Sequence, residues 1–512
     1  MLIKNMQKIK HIIVQAGGRG SRLETLTANK PKALVPVDNL PMIFHLFNKY
    51  PSAHFKIIAD YKKDVFRRYL KAFAKADYEI IDADKKLTCS GISRCIERIP
   101  EKEPFMLIWC DLILSDIAAM PERTDKNYIG ISKDFSCRWS YLDGKFEEKP
   151  SYENGVAGMF IFKDKSVIEG VPDEGEFVRW LSGRNIDFER IDMRGGLEIG
   201  TMLSYFQNEL NKPKCRPFNR MDFKGDVVIK TPVNEQGQKL AADEAAWYRK
   251  AAGLGYGNIP KIYSFEPLIM EKIKGENIFQ YGFLTKGFKK AILAKIIEAL
   301  KSLHSLVPPV PASIEDCESN YLSKTFERLR KVYELVPFAK DRTITINGRE
   351  CQNIFSIRER VSAEMRSMFP KDFVFIHGDC TFHNMMIETD SVRPVLIDPR
   401  GYFGNTKFYG DADYDWAKLY YSVCGDYDQF NRKNFSLEIK ESSVELFIVS
   451  NNWKDTEEDF FALSGADRRK IKLLHALIWL SLTAYAWEDY DAICGAFYKG
   501  IYELQDYLDY AG

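Results

Sequence analysis

Residues 15–37 read QAGGRGSRLETLTANKPKALVPV. The stretch begins where the short apolar run KHIIVQA (residues 10–16) ends, so a glycine-rich loop comes directly after a predicted strand. Glycines let backbone N–H groups approach phosphate oxygens without a side chain in the way. Arg22 and Lys32 add positive charge beside the loop. The stretch therefore predicts a phosphate-binding turn at the start of an α/β domain.

Apolar runs and helix-length stretches alternate through the first 205 residues. The runs typical of parallel strands are HIIVQA with its preceding lysine (10–16), HFKIIAD (54–60), YEIIDA (78–83) and FMLIWCD (105–111), and the helical stretches include 64–73 and 90–99. This alternation predicts a doubly wound α/β domain with a mostly parallel sheet over residues 1–206. The polar segment 207–219, which contains two prolines, is predicted to be a linker.

The pattern changes after the linker. A strand at 226–233, a helix at 240–253 and another strand at 267–273 predict a small β-rich lobe over residues 220–275. The remainder, residues 276–512, is predicted to be a mainly helical lobe. A small β-rich lobe followed by a larger helical one predicts a bilobal α+β domain, like that of protein kinases, with an ATP cleft between its lobes.

A second motif lies in this helical half. Residues 377–401 read HGDCTFHNMMIETDSVRPVLIDPRG. A hydroxyl that attacks the γ-phosphorus of a nucleotide needs a base or a hydrogen-bond acceptor, and Asp379 is placed for that role. Asn384, five residues later, can reach a metal ion, and Asp398 follows a predicted strand as a Mg²⁺ ligand does. The motif predicts phosphoryl transfer to an alcohol.

Composition limits the function classes. The chain has 512 residues, with 73 Lys and Arg against 72 Asp and Glu, so charge favours neither nucleic acid nor an anionic membrane as a partner. The apolar stretch 473–487 is shorter than the roughly 20 residues that cross a bilayer, which predicts no membrane insertion. The 10 cysteines form no CxxC pair and predict reduced thiols in a cytoplasmic protein. The oligomeric state stays open.

The extended pattern GGxGSRLxxLTxxxPKALVPV resembles the nucleotidyltransferase (pyrophosphorylase) superfamily, over about residues 1–205. The resemblance implies Mg²⁺-dependent transfer of a nucleotide to a phosphorylated acceptor. Its implied residues are Gly17, Gly18, Gly20 and Arg22 for the nucleotide phosphates, Lys32 for the α/β region, Ser90 and Gly91 for the base, Asp111 and Glu198 for the metal, and Lys149 for the acceptor's phosphate. Arg22 and Lys32 would be catalytic. Glu198 stands in LEIGT where the superfamily usually has Asp.

One segment indicates the class of acceptor. Residues 137–149 (CRWSYLDGKFEEK) look like the corresponding region of bacterial phosphocholine cytidylyltransferases. This resemblance implies CTP as the nucleotide and choline or a related amino alcohol as the acceptor. Trp139 would then face a cationic head group through a cation–π contact. Packing of Trp139 in the core of the α/β domain is the other interpretation, and the sequence leaves both open.

The second motif resembles the aminoglycoside phosphotransferase/choline kinase family, over about residues 216–512. The resemblance implies that Lys230 binds ATP phosphates, that Glu244 is its ion-pair partner, and that residues 268–271 (LIME), including Glu271, form the hinge for adenine. Asp379 and Asn384 would be catalytic, and Asn384 and Asp398 would hold Mg²⁺. Asp415 would brace the catalytic loop.

Together the two motifs predict a bifunctional enzyme. ATP would phosphorylate a small alcohol, and CTP or another nucleoside triphosphate would then be coupled to the phosphomonoester product with release of pyrophosphate. The activated product would serve decoration of a cell-surface polysaccharide or lipid. Two alternatives remain: a sugar kinase fused to a sugar-1-phosphate nucleotidyltransferase, and a nucleotide-binding regulator with one inactive domain.

Overall fold

The computed structural model describes residues 9–117, 120–210 and 219–511. The chain divides into two compact units. The N-terminal unit comprises Met1–Lys212 and the short segment Trp487–Asp491, and the C-terminal unit comprises Pro213–Ala486 and Ala492–Gly512. None of the helices formed by the described residues is long and apolar enough to cross a membrane.

A mixed sheet is the centre of the N-terminal unit. Its strands are β1 (His11–Gln15), β4 (His54–Ala59), β5 (Asp77–Asp82), β6 (Phe105–Trp109), β8 (Tyr128–Ser132), β9 (Ser140–Leu142), β10 (Lys145–Glu147), β11 (Gly155–Phe162) and β12 (Glu189–Asp192), and two small ladders pair β2 (Pro36–Val37) with β3 (Leu40–Pro41) and β7 (Leu112–Ile113) with β13 (Leu197–Glu198). The helices are α1 (Met42–Lys49), α2 (Lys63–Phe73), α3 (Ile92–Glu97), α4 (Phe177–Ser182) and α5 (Met202–Leu210).

The parallel part of this sheet confirms the predicted strands. Strands β6, β1, β4 and β5 are neighbours in that order and run parallel, while β11 pairs with β6 in the antiparallel direction. Ile12, Ile13 and Val14 of β1 are fully buried because the strand lies in the middle of the sheet. The carboxyl ends of β1 and β6 therefore lie at one edge, which is where ligands bind in open α/β sheets.

The C-terminal unit begins with a four-stranded sheet in the order β14-β15-β17-β16 and continues into a larger lobe of helices and short ladders. The strands are β14 (Asn219–Lys224), β15 (Val227–Pro232), β16 (Ile262–Phe265), β17 (Leu268–Glu271), β18 (Gly275–Asn277), β19 (Val310–Pro311), β20 (Thr343–Ile346), β21 (Arg349–Gln352), β22 (Asp372–Phe375), β23 (Met385–Glu388), β24 (Arg393–Leu396), β25 (Tyr402–Phe403), β26 (Thr406–Lys407), β27 (Tyr409–Gly410), β28 (Phe435–Ile439) and β29 (Val444–Ile448). The helices are α6 (Glu235–Gly253), α7 (Lys286–His304), α8 (Ile314–Cys317), α9 (Lys324–Val332), α10 (Arg358–Ser367), α11 (Ala412–Val423), α12 (Tyr427–Asn431), α13 (Glu457–Ser464), α14 (Arg468–Leu482) and α15 (Tyr490–Ala511).

Two features differ from the sequence prediction. Helix α5 extends to Leu210, so the predicted linker 207–219 starts inside a helix; residues 211–218 lie outside the described residues, and Asn219 begins β14. The lobe after residue 280 also contains a four-stranded sheet, β21-β20-β29-β28. Strands β20 and β21 form a hairpin whose two-residue turn is Asn347-Gly348. Both residues have positive φ, as expected for the Asn-Gly turns that are common in β-hairpins.

Trp247 of α6 anchors this helix to the core beneath the second motif. The indole is fully buried, and its Nε1 donates a hydrogen bond of 2.8 Å to the carbonyl oxygen of Ile376. Its ring centroid lies 5.6 Å from that of Phe375 and 5.6 Å from that of His377. Packing around Trp247 thus joins α6 to the strand that leads into the catalytic loop.

We expect Trp247→Ala to lower the free energy of unfolding of the C-terminal unit by about 3–5 kcal/mol, because a large buried ring is removed. Trp247→Phe should cost less, since it keeps most of the ring and loses the hydrogen bond to Ile376. Chemical denaturation followed by circular dichroism measures both. Equal midpoints for wild type and Trp247→Ala would contradict this anchoring role.

Candidate active sites

The loop after β1 has the geometry expected of the glycine-rich motif. Gly20 has φ 67°, and a Cβ there would lie 3.1 Å from the Cβ of Lys32, so both conformation and space require glycine. Gly17 lies beside Asp60, whereas an added Cβ at Gly18 would meet open space. A 3₁₀ helix, Ser21–Thr27, follows the loop and carries an exposed Arg22.

Lys32, Asp111 and Glu198 come together at the same edge of the sheet. Asp111 follows β6, and Glu198 lies in β13, opposite Leu112 of β7. The backbone N–H of Ile199 donates a 3.0 Å hydrogen bond to the carbonyl oxygen of Asp111. The Nζ of Lys32 forms an ion pair with Oδ2 of Asp111. Two carboxylates and a lysine from three separate segments therefore share one site.

The electrostatics of this site suit a divalent cation. Burial and the neighbouring Asp111 raise the pKa of Glu198, although Lys32 and Arg22 act against the shift. Burial alone would lower the pKa of Lys32, but the charge of Asp111 raises it. Two crowded carboxylates offer the oxygen ligands that Mg²⁺ prefers. The glutamate in place of the usual aspartate reaches the site from a neighbouring strand.

Ser90 and Gly91 lie in the segment that approaches the end of β1. The Nε2 of Gln15 donates a 2.5 Å hydrogen bond to the carbonyl oxygen of Thr88. The hydroxyl of the buried Ser90 accepts a 3.0 Å hydrogen bond from the N–H of Lys85. Gly91 has φ 85°, and a Cβ would meet Ile58 at 2.9 Å. Both residues thus shape the segment, and base contact remains a prediction.

The two acceptor residues differ in exposure. Lys149 is exposed, directly after β10 and next to the Arg138–Glu148 ion pair. Trp139 is only 8% exposed and belongs to the hydrophobic core cluster of the sheet. Its ring is therefore packed against apolar side chains. Of the two interpretations that the sequence left open for Trp139, the structure favours core packing, and contact with a cationic head group remains a prediction.

In the C-terminal unit, Asp415 holds the loop that carries Asp379. Its carboxylate accepts hydrogen bonds from the N–H of His377 at 2.9 Å and of Gly378 at 2.7 Å. The Nε2 of His304 lies 3.1 Å from it. Burial alone would raise the pKa of Asp415, but the hydrogen bond and charge of His304 hold it below its ordinary value. Asp415 is thus a buried, ionised brace for the catalytic loop.

His377 also supports this loop. Its Nε2 lies 3.0 Å from the carbonyl oxygen of Ile397, and its Nδ1 accepts a 3.3 Å hydrogen bond from the N–H of Asp379. Burial lowers the pKa of His377, which keeps the imidazole neutral and suits one donor and one acceptor nitrogen. The histidine therefore supports the loop that carries Asp379.

Asp379 and Asn384 face each other across the loop. The Nδ2 of Asn384 lies 2.9 Å from Oδ2 of Asp379 and 2.9 Å from its carbonyl oxygen. Within the described residues, the amide oxygen of Asn384 accepts no hydrogen bond. Lys418 of α11 lies 3.0 Å from Oδ1 of Asp379. The spacing of the motif thus brings a base and an oxygen ligand together.

Lys230 links Glu244 to Asp398. Its Nζ lies 2.7 Å from Oε2 of Glu244 and 2.7 Å from Oδ1 of Asp398. Burial opposes a charged lysine, but the two carboxylates raise the pKa of Lys230. Burial and the charge of Asp398 raise the pKa of Glu244 to about 7 despite the lysine. Asp398 is half-exposed, with 47% of its side chain accessible, so it can still reach a ligand.

Residues 268–271, which the sequence predicted as the hinge for adenine, lie in a regular strand. They form β17, which pairs with β15 and β16 inside the four-stranded sheet. Glu271 is the last residue of that strand, and its carboxylate accepts a 3.2 Å hydrogen bond from the N–H of Lys261. The connection to the larger lobe therefore begins at residue 272, because strand pairing continues to Glu271. Nucleotide contact by Glu271 remains a prediction.

The sequence prediction missed Lys324, Arg400 and Lys418 near Asp379, and Arg328 beside them. Lys418 had a local signal, because it follows Asp415 by three residues on the same helix and shares its face. Arg400 follows Asp398 by two residues but carries no motif of its own. Lys324 and Arg328 come from α9, far away in sequence, where they look like ordinary surface cations.

In comparisons with known proteins, each of the two domains matches a family model. Residues 12–127 match the model of the MobA-like NTP transferase domain, and residues 220–436 match that of the phosphotransferase enzyme family. No curated protein matches the chain.

Solved structures resemble 40% of the chain. HddC from Yersinia pseudotuberculosis is 20% identical and is covered over 100% of its length, with a TM-score of 0.33. The CTP:phosphocholine cytidylyltransferase LicC from Streptococcus pneumoniae is 20% identical over 100% of its length (TM-score 0.34), and the inositol-1-phosphate CTP transferase from T. maritima is 16% identical over 95% (TM-score 0.33). The family matches identify the chain as a transferase that joins a MobA-like NTP transferase domain to a domain of the phosphotransferase enzyme family.

Proposed function

We propose that the two domains catalyse consecutive steps. The C-terminal domain transfers the γ-phosphoryl group of ATP to a small alcohol, and the N-terminal domain couples the resulting phosphomonoester to a nucleotide and releases pyrophosphate. The observation that carries this proposal is the difference between the two sites. Asp379 lies against Asn384 and Lys418, which supports a role as base, whereas Asp111 and Glu198 lie together beside Lys32, which supports a role as metal ligands.

The kinase step needs a base because an alcohol is neutral. Asp379 accepts the hydroxyl proton, while Lys418 forms an ion pair with its carboxylate and His377 fixes its backbone. Lys230 binds the phosphates of ATP, and Glu244 orients this lysine. Asn384 and Asp398 supply oxygen ligands that fit Mg²⁺. The ion would neutralise charge on the phosphates.

The nucleotidyl step needs no base, because the second pKa of a phosphomonoester is about 6 and its oxygen is already anionic. The glycine-rich loop and Arg22 hold the triphosphate, and Lys32 stabilises the charge that develops at the α-phosphate. Asp111 and Glu198 fit a Mg²⁺ ion, which would supply further charge neutralisation. Lys149 is proposed to meet the acceptor's phosphate.

Two substrate classes are compatible with this sequence of steps. The resemblance of residues 137–149 supports CTP with an amino alcohol of the choline type, and a sugar with UTP, dTTP or GTP is the second candidate. Trp139 is packed in the core, so it gives the choline-type candidate no added support. In either case the product would be an activated donor for a cell-surface polysaccharide or lipid.

The nucleotide is tested by pyrophosphate release with each of CTP, UTP, GTP, ATP and dTTP. Each nucleotide is combined with a panel of phosphorylated amino alcohols, hydroxy acids, polyols and sugars. We expect CTP to be preferred. Turnover of sugar 1-phosphates with UTP, dTTP or GTP, without turnover of any CTP pair, would favour the sugar candidate. Absence of pyrophosphate release with every pair would contradict the proposed second step.

Asp379→Asn should lower phosphorylation of the alcohol by at least about 100-fold, because general-base catalysis contributes roughly 10²–10⁴-fold. Pyrophosphate release from a supplied phosphomonoester should be unchanged. The matched control is Asp372→Asn, an exposed aspartate at the start of β22. Equal loss of both activities in folded Asp379→Asn would contradict two separate sites.

Asp111→Asn should have the reciprocal effect. Loss of a metal ligand should stop pyrophosphate release and raise the Mg²⁺ concentration needed for half-maximal rate, while ATP-dependent phosphorylation continues. Glu198→Gln should act in the same direction. Asp143→Asn is the control, since Asp143 is exposed in a turn with φ 49°, which asparagine tolerates. Unchanged Mg²⁺ dependence in Asp111→Asn would show that Asp111 binds no metal.

A further inference from the structure

Lys324, Arg400 and Lys418 lie close enough to Asp379 to interact with its charge, and Arg328 lies beside Lys324 and Arg400. Lys418 contacts Asp379 directly at 3.0 Å, and Arg400 follows the loop of Asp398. Lys324 and Arg328 are four residues apart on α9 and therefore share one face of that helix. We call Lys324, Arg328, Arg400 and Lys418 the cationic cluster.

The partners of the cationic cluster are mostly neutral. Arg328 donates to the carbonyl oxygen and hydroxyl of Ser481 at 2.7 and 3.0 Å. Arg400 donates to the hydroxyl of Tyr414 at 3.1 Å, and its guanidinium lies 4.3 Å from the ring centroid of Tyr402. In the part of the chain that the structure describes, no ion pair joins Lys324, Arg328 or Arg400 to an acid.

Lys324 has the least compensated charge of the four. Its ammonium group makes no hydrogen bond or ion pair with the described residues. Burial and the charges of Arg400, Arg328 and Lys418 lower the pKa of Lys324 to about 6, against a smaller opposing effect of Asp379. Burial lowers the pKa of Arg328 as well. Desolvated like charges destabilise a fold unless an opposite charge joins them.

Asp379 interacts with Lys324, Arg400 and Lys418, and it forms its ion pair with Lys418. The lowered pKa of Lys324 leaves its amine largely neutral near pH 7, and an anion bound beside it would restore its charge. Lys230 is already proposed to bind the nucleotide phosphates. It lies on β15 and pairs with Glu244 of α6, whereas Lys324, Arg328 and Lys418 lie on α9 and α11. The cluster instead lies on elements of the larger lobe, around the base that receives the hydroxyl proton. The positive charge of the cluster therefore lies where the alcohol substrate would bind.

We propose that the alcohol substrate of the kinase site carries an oxyanion, as a carboxylate or a phosphate-type group, which binds the cationic cluster while its hydroxyl lies at Asp379. This inference rests on the proposed function and narrows its substrate class. A simple cation such as choline would be repelled by the same cluster. A hydroxy acid, including an amino alcohol that bears a carboxylate, or a phosphorylated or phosphonylated alcohol fits it. Tyr402 and Tyr414 supply hydroxyl groups beside it.

The first test compares alcohols that differ in charge. ADP release from ATP is measured with choline, glycerol, glycerate, serine, glycerol 3-phosphate and 2-hydroxyethylphosphonate. We expect kcat/KM to be at least about tenfold higher for an anion-bearing compound than for choline or glycerol, and the two kinds of oxyanion are separated by comparing glycerate and serine with the phosphorus compounds. Preference for choline or glycerol would overturn the inference alone. Turnover of none of these alcohols would contradict the proposed kinase step itself.

The second test removes charge from the cluster. With the best anionic substrate, Lys324→Met and Arg328→Gln should each raise its KM by about 10- to 100-fold, as expected for lost hydrogen bonds to a charged group, and change the KM for ATP less than about twofold. The matched controls are Lys331→Met and Arg330→Gln, exposed residues of the same helix.

The split between the two KM values distinguishes the roles. A rise in the KM for ATP with an unchanged KM for the alcohol would assign the cluster to the γ-phosphate and overturn the inference. Thermal unfolding is measured for every variant. Arg328→Gln loses contacts with Ser481, whereas Lys324→Met breaks no hydrogen bond of the described residues, so Lys324→Met tests the inference even if the arginine variant fails to fold.

Discussion

The carboxylate of Asp415 is the interaction on which the phosphotransferase site depends. It is fully buried, yet it stays ionised because the N–H groups of His377 and Gly378 and the ring of His304 surround it. These hydrogen bonds offset the cost of removing the charge from water. They also fix the backbone just before Asp379. The positions of Asp379 and Asn384 follow from this one charge.

In both units, a lysine forms an ion pair with an aspartate of the candidate site. Lys32 pairs with Asp111 in the N-terminal unit, while Lys230 pairs with Asp398 and Lys418 with Asp379 in the C-terminal unit. A half-buried carboxylate needs a positive partner, and a lysine on a flexible stem can give up that contact when a substrate or cation arrives. Each of these carboxylates therefore has a lysine partner in the described structure.

The charge around the kinase base changes the expected chemistry of the substrate. The resemblance to choline-type enzymes favours a cationic head group, but Trp139 is packed in the core and the residues near Asp379 are cationic. An uncompensated group of cations is costly to fold and becomes favourable once an anion binds. The residues that surround the reacting hydroxyl carry more information about the substrate than the likeness of the motif does.

The sequence by itself determined the features that depend on local spacing. An apolar run followed by glycines predicted β1 and its loop, and the Asp379–Asn384–Asp398 pattern predicted a base and two metal ligands from spacing alone. The helical start of the predicted linker and the sheet of β20 and β29 were missed, although the alternation of residues 343–346 (TITI) and the Asn347-Gly348 turn after them carry a local hairpin signal. The tertiary structure decided the rest. Three features depend on contacts between segments that are distant in sequence: the burial of Trp139, strand pairing up to Glu271, and the approach of Lys324 and Arg328 to the residues around Asp379. Packing and charge compensation depend on neighbours in space, which local sequence spacing does not reveal.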